Sequence, residues 1–370
     1  MVDRRRIVRQ WKQGSARVLV TLVRSQGSSY RRPGAHLLIG ADGEYAGTIS
    51  GGCLEAEVVR KAAWMVRDGA RVERYSTLFD DTAEIPFGLG CGGVVDLLLE
   101  PTDTPECRAL LDAMEASLGG AELRVATWLP AIGNRLRRAV FSPGGDVLFL
   151  SVDLSSGDLH AVPGHDSGPL DSEIYRETLL PPLRLFVLGA GDDARPLVTM
   201  AAQLGWRITV ADGRAQLARA ERFPEAERVL AASSVAELGI AATDAAVIMS
   251  HSYEQDRALL TGLLGAGEIP GYIGLLGASH RSSLLVSEAA SALGLSVAEC
   301  CEKVWAPVGL DLGGDGAEAI ALAVVAEVQA WRQSKLGMSR RLTAERVAEH
   351  VARGGVSRYL QTQCALGAAK

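Results

Sequence analysis

Apolar positions change rhythm about halfway along the chain, and the change predicts two units of different architecture. A charged, helix-like opening (Met1-Val2-Asp3-Arg4-Arg5-Arg6) is followed by short valine- and leucine-rich runs at 17–24 (RVLVTLVR) and 35–39 (AHLLI). Asp42-Gly43, just after Ile39, is a hairpin turn signal, so these runs predict a strand meander. From Leu54 the apolar residues recur at Val58, Ala62 and Met65, the spacing of one helical face, with Gly69 placed to stop the helix. Strands at 71–76 and 94–99, a helix at 106–118, and a strand pair at 123–129 and 136–141, with Ser142-Pro143-Gly144-Gly145 as a turn, complete an α+β unit. Residues 155–169 are rich in Gly, Ser, Asp, Pro and His and read as the start of a linker that ends at Pro181-Pro182.

The second half alternates differently. Brief apolar runs at 183–188, 207–211, 245–249 and 271–276 are each followed by enough chain for a helix, and a last strand near Val304 leads into a helix over 317–331. Such alternation predicts a parallel, doubly wound sheet. The expected fold is therefore α/β, with an α+β domain over 1–165, a Rossmann-type domain over 183–336 and a charged tail over 337–370.

Composition narrows the function. A chain of 370 residues with 48% hydrophobic composition can support two cores. The net charge of −6, without any Lys/Arg block, excludes a nucleic-acid or anionic-membrane partner held by bulk charge. The absence of a long uncharged apolar window or an apolar signal core makes the cytoplasm the expected compartment. Six cysteines in so long a chain do not form a disulfide framework, so a special one is better read as a thiolate.

Candidate chemistry gathers in two places. Residues 185–194 (LFVLGAGDDA) run a buried strand into G-x-G-x-x-A, and Asp212 stands at the end of the next strand, about 20 residues on. Gly189 would allow the tight turn, Gly191 would admit a pyrophosphate, and Asp212 would accept from a ribose hydroxyl, favouring an NAD-like ligand over NADP. Asp192 and Asp193 oppose this, because carboxylates at a helix N-terminus would repel a pyrophosphate unless a metal bridged them. Further along, His251 could act as an acid/base or ligand and Arg281 as a phosphate contact, or both could simply satisfy loop backbone.

The other place is glycine-rich and bears cysteine. Ser50-Gly51-Gly52-Cys53-Leu54-Glu55 sets Cys53 at a helix start, where backbone N–H groups stabilise a thiolate. Glu55 cannot face Cys53 on the helix and suits a helix-stabilising charge. A second motif over 88–93 surrounds Cys91 with Gly90, Gly92 and Gly93, and the two motifs are expected to share one pocket. Ser28, Ser29, Arg31 and Arg32, within 27–34 (GSSYRRPG), offer an anion cradle. Cys107, Cys300, Cys301 and Cys364 lack any neighbour that would lower a thiol pKa and read as packing residues. Cys53, Cys91 and His36 lack the close pairing of a zinc site, and a soft thiolate facing molybdenum or a persulfide sulfur is the more natural use.

The string GSSYRRPGAHLLIGADGEYAGTISGGCLEAEVVRKA, together with GLGCGG, resembles the N-terminal domain of the xanthine dehydrogenase accessory factor family (XdhC/CoxI-like), which includes carbon monoxide dehydrogenase maturation factors. The resemblance continues through PPLRLFVLGAGDDARPLV, MSHSYEQDRALL, GYIGLLGASHR and APVGLDLGGDGAEAIALAVVAEV. It implies a molybdenum cofactor (molybdopterin) chaperone that assists the cofactor's sulfuration with a cysteine desulfurase and delivers it to an apo molybdenum hydroxylase of the xanthine or carbon monoxide dehydrogenase type. In that role Gly51, Gly52, Cys53, Glu55, Gly90, Cys91, Gly92 and Gly93 would bind the cofactor, with Cys53 as the metal ligand. A homodimer is the expected assembly. The competing expectations are an NAD(P)-dependent oxidoreductase built on the second domain, using Cys53 or His251, and a non-catalytic scaffold that docks a client enzyme.

Overall fold

The computed structural model describes residues 1–52, 54–76, 93–130, 135–155 and 174–337. The start of the expected linker and most of the charged tail lie outside these residues.

The opening charged segment is helix α1 (Val2–Lys12), followed by β1 (Ala16–Gln26), β2 (His36–Gly40) and β3 (Tyr45–Gly47) as an antiparallel meander. Helix α2 (Glu55–Met65) leads to β4 (Arg71–Ser76) and β5 (Val94–Pro101), and the five strands form one antiparallel sheet in the order β3-β2-β1-β5-β4. Alternate residues of β1 face opposite sides. Val18, Val20 and Leu22 pack with Leu54, Val58 and Ala62 of α2, whereas Leu19 joins Ile7 of α1 on the other side. Burial on both faces explains why β1 reads as one nearly unbroken apolar run.

Helix α3 (Pro105–Leu118) begins where the Thr104 hydroxyl accepts from the Cys107 amide at 3.2 Å, with Pro105 in the first turn. It packs beside a second antiparallel sheet of β6 (Leu123–Trp128), β7 (Arg137–Phe141), β8 (Val147–Leu150) and β9 (Ile174–Leu179), ordered β8-β7-β6-β9. Strand β9 falls in chain assigned to the linker from sequence. Its inward positions include Glu177, whose carboxylate lies 3.4 Å from His36 Nε2 of β2, with both side chains buried. A buried charge met by a partner from the other sheet breaks the hydrophobic alternation by which strands are recognised.

A deeper ion pair joins the same two sheets. Arg138 of β7 donates to both oxygens of Glu100 of β5, at 2.8 and 3.0 Å, and both residues are almost wholly inaccessible. Two further guanidinium hydrogens reach Thr127 Oγ1 at 3.0 Å and the Glu106 carbonyl at 2.6 Å. Four of the five guanidinium hydrogens are thus engaged, near the condition under which a buried pair holds.

The second half is a six-stranded parallel sheet ordered β12-β11-β10-β13-β14-β15. Its strands are β10 (Arg184–Leu188), β11 (Arg207–Ala211), β12 (Arg228–Leu230), β13 (Ala245–Ile248), β14 (Tyr272–Leu275) and β15 (Val304–Trp305). Helices α4 (Ala194–Gln203) and α8 (Ala317–Arg332) cover one face, α5 (Tyr253–Leu264) and α6 (Ser279–Leu293) the other, and the short α7 (Val297–Cys301) precedes β15. Chain order reverses between β10 and β13, the switch point at which sheets of this type bind ligands. The expected Rossmann-type fold is therefore present. Strand β12 escaped the sequence analysis because three edge residues beginning with exposed Arg228 carry no periodicity.

Arg138→Met is expected to destabilise the first unit by about 3–5 kcal/mol, because Glu100 would be left charged, buried and unpaired. Urea unfolding should show a lowered midpoint that the double variant Glu100→Leu/Arg138→Met largely restores. Equal losses in the single and double variants would contradict the argument.

Candidate functional site

The glycine-cysteine loop is built around one carboxylate. Glu55, in the first turn of α2 and 2% exposed, turns back into the loop that precedes it. Its Oε1 accepts from Thr48 Oγ1 at 2.6 Å and from the amides of Ile49 and Ser50, each at 2.9 Å. Its Oε2 accepts from the Ser50 hydroxyl and from the Gly52 amide at 2.8 Å. The two hydroxyls complete the wrap, as Thr48 Oγ1 accepts from Gly51 N at 3.0 Å and Ser50 Oγ from Leu54 N at 2.8 Å. Burial pushes the Glu55 carboxyl up, but the bonds from Ser50 and Thr48 outweigh it and hold the carboxyl at about 2 against an ordinary 4.5.

The amides of Gly51 and Gly52 and the carboxylate of Glu55, all three expected at the cofactor, bond within the loop in the structure. What the glycines provide is shape. Gly51 and Gly52 have φ of 82° and 115°, and a Cβ on Gly51 would stand 2.6 Å from the Tyr30 ring. At Gly52 a Cβ would meet nothing within 4 Å among the described residues. Cys53, Gly90, Cys91 and Gly92 lie outside the described residues.

The predicted cradle does approach this loop. Tyr30 packs on Gly51, and Gly93 sits so close to the same segment that a Cβ there would stand 2.1 Å from the Ser28 carbonyl. Segments 27–34 and 48–52 and the residue before β5 therefore converge. Within the cradle, Arg31 is held by Asp3 at 2.9 Å and Ser29 Oγ donates to the Arg31 carbonyl at 2.6 Å. Ser28 and Arg32 are exposed, and neither side chain makes an ion pair or hydrogen bond among the described residues. Those two are the donors left for a guest anion. Tyr30 was given no role because an exposed aromatic in a polar loop does not announce its packing partner; Thr48 and Ser50 were visible only as loop hydroxyls.

At the switch point of the parallel sheet the predicted residues are bonded to one another. Gly189, with φ 136°, brings its turn against β13, where a Cβ would lie 2.3 Å from the Met249 carbonyl. Asp212 is buried, and its four acceptor positions are filled by the Ala190 amide at 2.8 Å and by the Arg214 amide, Nε and Nη2 at 2.8–2.9 Å. The assigned ribose contact therefore has no free lone pair. Arg214 also reaches the Ser250 carbonyl at 2.9 Å, and Ser250 and Arg281 both donate to buried Asp256, the latter at 2.7 Å. Arg281, expected to contact phosphate, is bound to that carboxylate.

The two aspartates of the turn are likewise paired, Asp192 with Arg222 at 2.8 Å and Asp193 with His251 Nε2 at 2.6 Å. Their repulsion of an anion is thereby reduced. His251, at φ 60°, spans the crevice from β13 and narrows the approach to Gly191. Neither Arg214 nor Arg222 belongs to the G-x-G-x-x-A pattern, so the fingerprint gave no notice of them.

The cysteines read as packing residues divide. Cys107 is fully buried, with its thiol pushed well up by desolvation and then by Glu100; Cys300 is buried and Cys301 exposed.

Fold and loop together define a two-part α/β protein, in which an antiparallel unit presenting a glycine-cysteine loop is joined to a Rossmann-type unit. The chain belongs to the XdhC and CoxI family: residues 10–76 match the model of that name, and residues 185–328 match the XdhC Rossmann domain. It is 28% identical over 318 residues to a probable xanthine dehydrogenase subunit of Bacillus subtilis, covering 84% of this chain and 92% of that protein. It is 29% identical over 321 residues to the molybdenum cofactor insertion chaperone PaoD of Escherichia coli, covering 86% of this chain and 84% of the relative. A crystal structure described as a xanthine dehydrogenase from Bacillus halodurans superposes with a TM-score of 0.76 at 26% identity, over 94% of this chain and 99% of the other.

Because the folded Glu55 carboxyl titrates at about 2 and the unfolded one at about 4.5, its ionised form stabilises the loop fully above pH 4.5, and this contribution is lost as pH falls toward 2. The difference corresponds to about 3 kcal/mol. Glu55→Gln is expected to remove about 2–3 kcal/mol from local loop stability. Hydrogen exchange should show faster amides at Ile49, Ser50 and Gly52 at neutral pH; unchanged protection there would contradict this role.

Proposed function

We propose that the chain is a carrier for molybdenum cofactor, holding the pterin-bound metal at the glycine-cysteine loop and passing it to an apo molybdenum hydroxylase. The observation that carries this reading is the similarity to a molybdenum cofactor insertion chaperone along 86% of the chain, spanning both units. The likeness to a probable xanthine dehydrogenase subunit supports a client of that type.

The local chemistry agrees with such a cargo. A helix start and bare glycine backbone favour a thiolate at Cys53, and a soft thiolate suits molybdenum. Arg32 and Ser28 supply donors for the pterin phosphate, at a site where a permanent guanidinium can grip and release an oxyanion. Glu55, saturated by the loop, serves as a positioning residue and does not compete for the cargo. Two further parts belong to the same proposal: a cysteine desulfurase supplies the sulfur for cofactor sulfuration, and the protein works as a cytoplasmic homodimer. No helix among the described residues is long and apolar enough to cross a membrane.

The oxidoreductase alternative draws no support from the geometry, since Asp212 is filled by Arg214 and the His251–Asp193 pair crowds the crevice beside Gly191. The Rossmann-type unit is assigned to shaping and partner contact.

Cys53→Ala is expected to fold normally and to lose most of its retained molybdenum, measured by elemental analysis of anaerobically purified protein. Arg32→Gln should weaken cofactor retention by about tenfold, the loss of one charge-assisted phosphate contact. Molybdenum content equal to the parent's in Cys53→Ala would refute the assignment.

A further inference from the structure

The parallel sheet carries a lined cavity at the end opposite its switch point. The starts of β10, β11, β12 and β13, the Pro181-Pro182 connection, the end of α3 and the last turn of α8 enclose a cleft of about 350 Å³. That volume is at the low end of small-molecule sites, which run from roughly 300 to 1,000 Å³. Its position is unusual, because sheets of this type bind ligands at the carboxyl ends of their strands, whereas this cleft lies at the amino ends.

Charge decides what the cleft suits. Four arginines line it, Arg184, Arg207, Arg228 and Arg332, against two carboxylates, Glu227 and Asp244, an excess of two positive charges. Two of the arginines are committed. Arg207 grips Glu227 through two bonds of 2.7 Å, and Arg184 lies 3.2 Å from Asp244 and donates to the Gly239 carbonyl at 2.8 Å. Among the described residues neither Arg228 nor Arg332 makes an ion pair or side-chain hydrogen bond. The carbonyl end of α3 also borders the cleft, and Arg207 lies beside Gly120 there, offsetting that negative end. Two free guanidiniums around a small enclosed volume, with their acidic neighbours already paired, form a binding site for an anion.

We propose that this cleft binds a small dianion of the phosphate-ester or diphosphate class, gripped by Arg228 and Arg332. Because the first unit contributes the end of α3 and the second contributes the strand starts, a bound anion would touch both units and tie them together. The site is separate from the glycine-cysteine loop, so it stands or falls independently of the cofactor proposal.

The test is calorimetric titration of the full chain with inorganic pyrophosphate at low ionic strength. A saturable site is expected in the parent, with affinity reduced at least tenfold in Arg228→Gln/Arg332→Gln and retained in Arg32→Gln, which alters only the loop cradle. Arg228→Gln alone, a change at an exposed and unpaired side chain, should fold as the parent does and show a partial loss. The proposal is overturned if the parent shows no saturable binding, if the double variant binds as tightly as the parent, or if the loss follows Arg32→Gln instead.

Discussion

The convergence of a short polar loop on the Glu55 carboxylate is the constraint from which the candidate site follows. A loop containing two successive positive-φ glycines has much conformational entropy to lose on ordering, and Ile49 is the one apolar side chain it buries. An acceptor-only group that takes bonds from three backbone amides and two hydroxyls supplies the missing order. The carboxylate is itself positioned by helix α2, which is pinned to the first sheet through Leu54, Val58 and Ala62. Loop geometry is therefore dictated by a hydrophobic face several residues away, and position 53 is bracketed by Gly52 and Leu54, whose amides are both fixed.

The two units are stabilised by different physics. In the Rossmann-type unit both faces of the sheet are apolar and the polar contacts gather at the strand ends, where Asp212, Arg214, Ser250, Asp256 and Arg281 form a chain across the switch point. The antiparallel unit instead places Glu100, Arg138, Glu177 and His36 between its sheets. Buried pairs of that kind contribute little net stability but strongly penalise a shifted register, because any slip leaves a charge unmatched. A unit built this way holds its loops in one arrangement, which suits the proposed carrier role.

Much of the fold was legible, and the exceptions have a common cause. The strands of the parallel sheet stand out because they are buried on both faces, so that LFVL and AAVI are unbroken apolar runs. Strand β9 is hidden because buried Glu177 reads as a surface residue until His36 is known to face it. Site residues divide along the same line. Gly51, Gly93 and Gly189 were identifiable as places of close backbone approach, and contacts of 2.1–2.6 Å to a hypothetical Cβ give the reason. The duties of Glu55 and Asp212 were not legible, since a carboxylate beside a glycine-rich turn looks equally suited to a ligand or to its own backbone. Only the geometry, with every lone pair occupied, decides for the backbone.

In the proposed role the Glu55-ordered loop presents Cys53 to the molybdenum cofactor. Its most direct test is the equilibrium dissociation constant of the cofactor for the parent and for Glu55→Gln, measured anaerobically at neutral pH on the full chain. Cofactor binding is expected to weaken by about tenfold or more in the variant while the Rossmann-type unit unfolds at an unchanged denaturant concentration. Equal affinity in the two proteins, despite a loop shown to be loosened, would contradict it.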